Sequence, residues 1–175
     1  GDNLKYSFND LPEGVAIQGN FDKSCTLDLS KQSEEALRSG LLTLIVQKSG
    51  ISPTISDFQL SVSSTSGNIK ILVGYDGSDV EFQEETSGAY QIMLWRPSKI
   101  VIGSRTTSNV TRIVCSDSEL ITGSDCMFSD EVLIQSTDQH GLVDLKTGKI
   151  FNDKHRRVIL GDHVWLGRRC TLMAD

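Results

Sequence analysis

His140 is the residue of this chain best placed to move a proton. It lies in a polar stretch, residues 137 to 157, set between two apolar and strongly periodic segments. An imidazole with an unperturbed pKa of about 6.5 is largely neutral near pH 7 and can accept a proton from a hydroxyl. Asp138, two residues earlier, is suited either to orienting that imidazole or to stabilising a turn. A histidine on a solvated loop does no chemistry by itself, so position alone leaves both readings of His140 open. Further along, His163 and Trp165 flank Val164, and on a strand alternation turns both outward if Val164 points in. A bare outward tryptophan is costly, which predicts that Trp165 lies in a subunit interface or along a ligand channel. Arg156 and Arg157 form a small basic spot, able to meet phosphates or an acidic polymer, or simply to face solvent.

The elements that must hold these groups are written in a six-residue period. The register starts at Thr122-Gly123 and continues with the large apolar residues Phe128 and Ile134, and after the polar stretch with Leu160-Gly161, Leu166-Gly167 and Leu172. Four places on from Thr122, Phe128, Leu160 and Leu166 comes a compact residue: Cys126, Val132, Val164, Cys170. Three short flat strands per coil would build a triangular prism, with one large side chain per face pointing at the axis and a small one at each corner. Glycine at the bend relieves the backbone. Backbone groups are then satisfied only by the neighbouring coil, as in other stacked-repeat folds. Sandwich strands would instead show period-two alternation with turns every 8–12 residues or so. The expected fold is therefore all-β, a parallel β-helix over residues 97–175 from which the His140 stretch protrudes.

The 175 residues carry a net charge of −6, which argues against a nucleic-acid surface built on a basic stripe. No apolar run approaches the roughly 18 residues that span a bilayer, and no apolar leader follows the first residue, so the expected setting is the cytoplasm. Cys25, Cys115, Cys126 and Cys170 lack zinc-site spacing; two occupy corner positions, and all four read as structural thiols, with no metal expected.

Residues 1–96 read as irregular and β-rich, either degenerate coils of the same helix or a packed β cap over its open end. Strands are expected over 15–18, 25–29, 42–46, 58–62, 69–73 and 80–83. Over 90–95, Tyr90, Ile92 and Leu94 share one face, with Met93 and Trp95 on the other. A short helix capped by Ser33 and ended by Gly40, or a charged turn, fits the Glu34-Glu35 region. The best boundary is Arg96-Pro97-Ser98.

Four segments in order carry a family likeness: Gly123 to Ser129 with Cys126-Met127 at its centre, Asp138-Gln139-His140, Thr147-Gly148, and Gly161-Asp162-His163-Val164-Trp165-Leu166-Gly167. Together they resemble the hexapeptide-repeat acyltransferases, most closely the bacterial sugar and capsule O-acetyltransferases. The likeness starts near Lys99. It implies a left-handed coil, a homotrimer, and acetyl-CoA as co-substrate in a cleft between prisms. By the same resemblance His140 is the catalytic base, and Trp165, Asp138, Asn152 and His163 contact the saccharide or acetyl-CoA, His163 with an interfacial place as well. The chain departs from the pattern at Gly141, where proline is common, and at Ile150, where an arginine is usual. Relatives continue past the position of Asp175, so a column truncated at its carboxyl end is expected. The activity implied is acetyl transfer to a saccharide hydroxyl, in a capsule, lipopolysaccharide or related sugar. The alternatives are N-acetylation of an amino sugar or amino acid, and a catalytically incomplete assembly module.

Overall fold

The structure, a computed structural model, describes residues 3–136, 143–150 and 155–174. In chain order its elements are β1 (Leu4–Ser7), β2 (Val15–Gln18), β3 (Thr26–Leu29), α1 (Lys31–Ser39), β4 (Leu42–Lys48), β5 (Gln59–Val73), β6 (Asp79–Leu94) and β7 (Lys99–Ile102). Then follow β8 (Thr107–Cys115), β9 (Ser118–Thr122), β10 (Met127–Phe128), β11 (Val132–Gln135), β12 (Arg156–Leu160), β13 (Trp165–Leu166) and β14 (Thr171–Met173).

Successive coils pair in parallel on three faces. The first face stacks Thr26, Gln59, Asp79, Lys99, Glu119 and Arg157 in register. The second stacks Val15, Leu44, Ile69, Tyr90, Thr111 and Val132, and continues from Leu133 to Thr171. The third stacks Ser66, Ser87, Thr107, Met127 and Trp165. This is the parallel β-helix that the period predicts. It runs on both sides of Arg96-Pro97-Ser98, which forms a corner between β6 and β7.

Alternation along each strand sends one row inward. Ile71, Ile92, Ile113 and Ile134 stack as such a row, each 0% exposed, and complete burial of each side chain is worth about 1.5–3 kcal/mol. Tyr90, Ile92 and Leu94 point inward as expected, while Met93 and Trp95 are half-buried on the outer side. Phe128, Cys126, Val132 and Thr122 are buried, whereas Leu160, Val164, Cys170 and Leu172 of the last coil are only half-buried against the core. All four cysteines are free, and three are buried.

Glycine is required where coils touch at Gly123. A Cβ there would lie 2.6 Å from the Asp162 amide nitrogen, a distance side chains do not tolerate. Elsewhere the corners use larger residues in left-handed conformation. Glu85, Arg105, Asp125 and His163 have φ of 59°, 58°, 59° and 57° and stack along one edge. The last three are tied to the coil beneath: the Arg105 amide donates to the Glu84 carbonyl, that of Asp125 to the Ser104 carbonyl, and that of His163 to the Ser124 carbonyl, at 2.8–2.9 Å. Outside glycine such a conformation costs roughly 1–2 kcal/mol, and these inter-coil bonds offset it.

The helix forms, three residues earlier at its start than the sequence suggests. Ser30 caps it, its hydroxyl accepting from the Ser33 amide at 3.1 Å, and Gly40 ends it with φ 81°. Ser33 is instead buried and donates to the Ser64 carbonyl at 2.8 Å. Ala36 and Leu37 bury the inner face of α1, which covers the first coils.

Candidate active site

The polar stretch leaves the column at one corner and returns at the same corner. The Ser136 amide donates to the Val114 carbonyl at 3.1 Å, and its hydroxyl hydrogen-bonds that of Ser118, fixing the departure. The chain rejoins at β12, which pairs with β9. Accordingly Met127 pairs with Trp165 and Leu133 with Thr171, both 38 residues on: one coil plus the excursion. Within the excursion, residues 143–150 form a small hairpin in which Val143 bridges Ile150 and the Gly148 amide donates to the Asp144 carbonyl at 2.7 Å. The Lys146 amide donates to the Asp144 carboxylate at 2.8 Å; that bond, helped by the Thr147 hydroxyl, holds the carboxyl below the usual carboxylate range. His140, Asp138 and Asn152 lie outside the described residues.

Trp165 is outward, 71% exposed, beside the exposed Met127 on the third face. Its indole N–H donates to the Ser129 hydroxyl at 3.3 Å, which fixes the ring across the coil step. Val164 packs inward, as alternation requires. His163 differs from expectation: it is at a corner, not on a strand, and its left-handed backbone stacks on Asp125. A tight corner between the glycine bend and a two-residue strand leaves no room for extended backbone there.

The basic spot is not a loop face. Arg156 and Arg157 open β12. The Arg157 Nε donates to Glu119 at 2.8 Å, and an Arg156 guanidinium nitrogen donates to the Ala174 carbonyl at 3.2 Å. His155, just before them, sits 3.9 Å from Asp117 and 3.6 Å from Glu119.

Two further residues order this edge and were missed in the sequence. Asp162 accepts from the Ser124 amide at 2.8 Å, closing the coil step below Trp165. Arg105 makes paired bonds of 2.8 and 3.0 Å to Asp125, which with His163 nearby hold the Asp125 carboxyl below its ordinary range. The signal was present: Asp125 stands 38 residues before His163, the same step as Met127 to Trp165.

Two named relatives share part of this chain. It is 32% identical over 83 residues to a polysialic acid O-acetyltransferase of Escherichia coli O1:K1 / APEC, covering 47% of this chain and 27% of the relative. It is 36% identical over 73 residues to a polysialic acid O-acetyltransferase of Neisseria meningitidis, covering 41% and 34%. The chain resembles the capsule O-acetyltransferases of the hexapeptide-repeat class. The solved structure of the polySia-specific acetyltransferase NeuO superposes with a TM-score of 0.65 over 91% of this chain and 67% of that one, at 22% identity, which shows the shared fold. The chain thus spans about a third or less of the length of the relatives it matches in sequence. No family model matches. No helix among the described residues is long and apolar enough to cross a membrane.

Proposed function

We propose that the chain forms part of an O-acetyltransferase that moves an acetyl group from acetyl-CoA to a saccharide hydroxyl. The observation that carries this is the match, at 32% and 36% identity, to two proteins named as polysialic acid O-acetyltransferases. The excursion from the β-helix, carrying His140, supports it. In this reading His140 takes the proton of the sugar hydroxyl as its oxygen attacks the thioester carbonyl. The tetrahedral oxyanion then collapses, the carbon–sulfur bond breaks, and the imidazolium returns the proton to the departing thiolate. Asp138 orients the imidazole or holds the sugar, Asn152 closes the returning loop, and Trp165 with His163 borders the acetyl-CoA or acceptor channel. The exposed ring on a flat face, braced by Ser129, is the kind of surface a ligand or neighbouring subunit would cover. A homotrimer would supply such a neighbour, and the outward ladder Val101–Ile121–Ile159 offers an apolar seam for it.

The test is release of free CoA thiol on mixing the protein with acetyl-CoA and sialic acid oligomers. His140→Ala is expected to lower the rate by about a hundred- to ten-thousand-fold. Full turnover in that variant would remove His140 from the mechanism.

A further inference from the structure

Three of the coils contribute to a cleft on the edge where the chain leaves and rejoins the column. Tyr75, Arg96 with Pro97, and Asp117 line a cavity of about 330 Å³, within the range of small-ligand sites. These three levels are consecutive coils. At about 4.8 Å per step they span roughly 10 Å of column. The corner is rigidly built, since the Ser98 amide donates to the Ser78 hydroxyl at 3.1 Å and the Ser116 amide to the Ser118 hydroxyl at 3.2 Å. It is also the corner from which the chain departs at Ser136 and to which it returns at His155, 3.9 Å from Asp117. The cleft therefore lies at the corner where the chain leaves and rejoins the column.

Its chemistry is specific. Tyr75 is 52% exposed, a flat ring left uncovered on an outer edge. Gly74 before it lacks a side chain, and the half-buried Trp95 ring fills that place, 3.1 Å from where a Cβ would stand. Pro97 adds a second flat apolar surface, and Asp117 offers a carboxylate to hydroxyl groups. Arg96 decides the ligand's charge. Arg38, Arg105, Arg157 and Arg169 each lie within 3.2 Å of a carboxylate. Among the described residues Arg96 makes no ion pair, nor do Arg112, Arg156 and Arg168, and of these four it is Arg96 that lines the cleft, exposed. A guanidinium fork without a carboxylate of its own is matched to a carboxylate brought by a ligand.

We propose that this cleft is a secondary subsite for a carboxylated saccharide, holding an acidic polymer at the corner where the chain leaves and rejoins the column. The proposal rests on the saccharide reading above. Tyr75 and Pro97 face the sugar ring, Arg96 takes its carboxylate, and Asp117 takes a hydroxyl.

Isothermal titration of the whole chain with sialic acid octamers and, separately, neutral glucose octamers tests it without any turnover. Arg96→Gln and Tyr75→Ala, both at exposed positions, are checked for folding by circular dichroism. The expected result is binding of the acidic octamer only, weakened about tenfold in each variant. Equal affinity of wild type and both variants overturns the subsite and leaves the transferase reading standing. So does equal binding of the neutral octamer, or no binding of either. If the acidic octamer binds through Arg96 and Tyr75 while no CoA is released under any condition, the subsite stands and the transferase reading fails.

Discussion

Arg105 and Asp125 show how one exposed pair supports a strained corner. Both residues hold left-handed backbone, and two hydrogen bonds join them across a coil step. The folded-state pKa of Asp125 is depressed, chiefly by the Arg105 bonds. Its contribution to stability is therefore present above the unfolded carboxylate value, about 3.9, and is lost as pH falls through the lower folded value. Asp125→Asn is expected to lower the melting temperature at pH 7 and to differ less from wild type at pH 3. A deficit equal at both pH values would mean that shape, not charge, matters at that corner. His163 occupies the next corner up. Its side chain was legible in the sequence as outward, but its conformation was not, because alternation assumes a strand and the coil turns there.

At the level of elements, α1 separates two serines that composition treats alike. Ser30 caps an exposed helix end, so Ser30→Ala should cost about 1 kcal/mol. Ser33 is buried with a bond to the Ser64 carbonyl, and Ser33→Ala should cost about 1–3 kcal/mol by orphaning that acceptor. Urea denaturation of the two variants distinguishes them; a larger loss at Ser30 would contradict the assignment. The sequence offered the helix with its Gly40 stop beside a charged turn, and Glu34 and Glu35 drew the cap toward Ser33. The later coils were legible because Phe128, Ile134, Leu166 and Leu172 keep the six-residue step. The earlier coils were legible only as one of two alternatives, for a physical reason. Gln59, Asp79, Lys99 and Glu119 pair at steps of 20 residues, not three sixes. The step lengthens to 21 past the register shifts at Ser64 and between Gly88 and Tyr90, and β5 and β6 each run through a corner as one strand where the sequence suggested two. The excursion was visible as a break in the period, while the cleft where it leaves the column was not, since Tyr75, Arg96 and Asp117 become neighbours only once that longer step is known.

Across the whole molecule, the outward rows decide what the column meets. Val101, Ile121 and Ile159 make a continuous apolar ladder on the first face, and Ile159 is 60% exposed. If this seam joins three copies, sedimentation equilibrium should give three times the chain mass of 19.2 kDa, and Ile159→Asp should return the monomer. A wild-type monomer at micromolar concentration would exclude the trimer for this chain. One consequence of the left-handed edge concerns folding itself. A prism of near-identical coils is open to misthreading, in which a rung skips its neighbour and settles on the one beyond. Along this edge Glu85 and Asp125 flank Arg105, and both lie on the attractive side of it. A skipped rung would set Glu85 against Asp125, anion facing anion. The ladder thus works as a key that only the native order of rungs can turn.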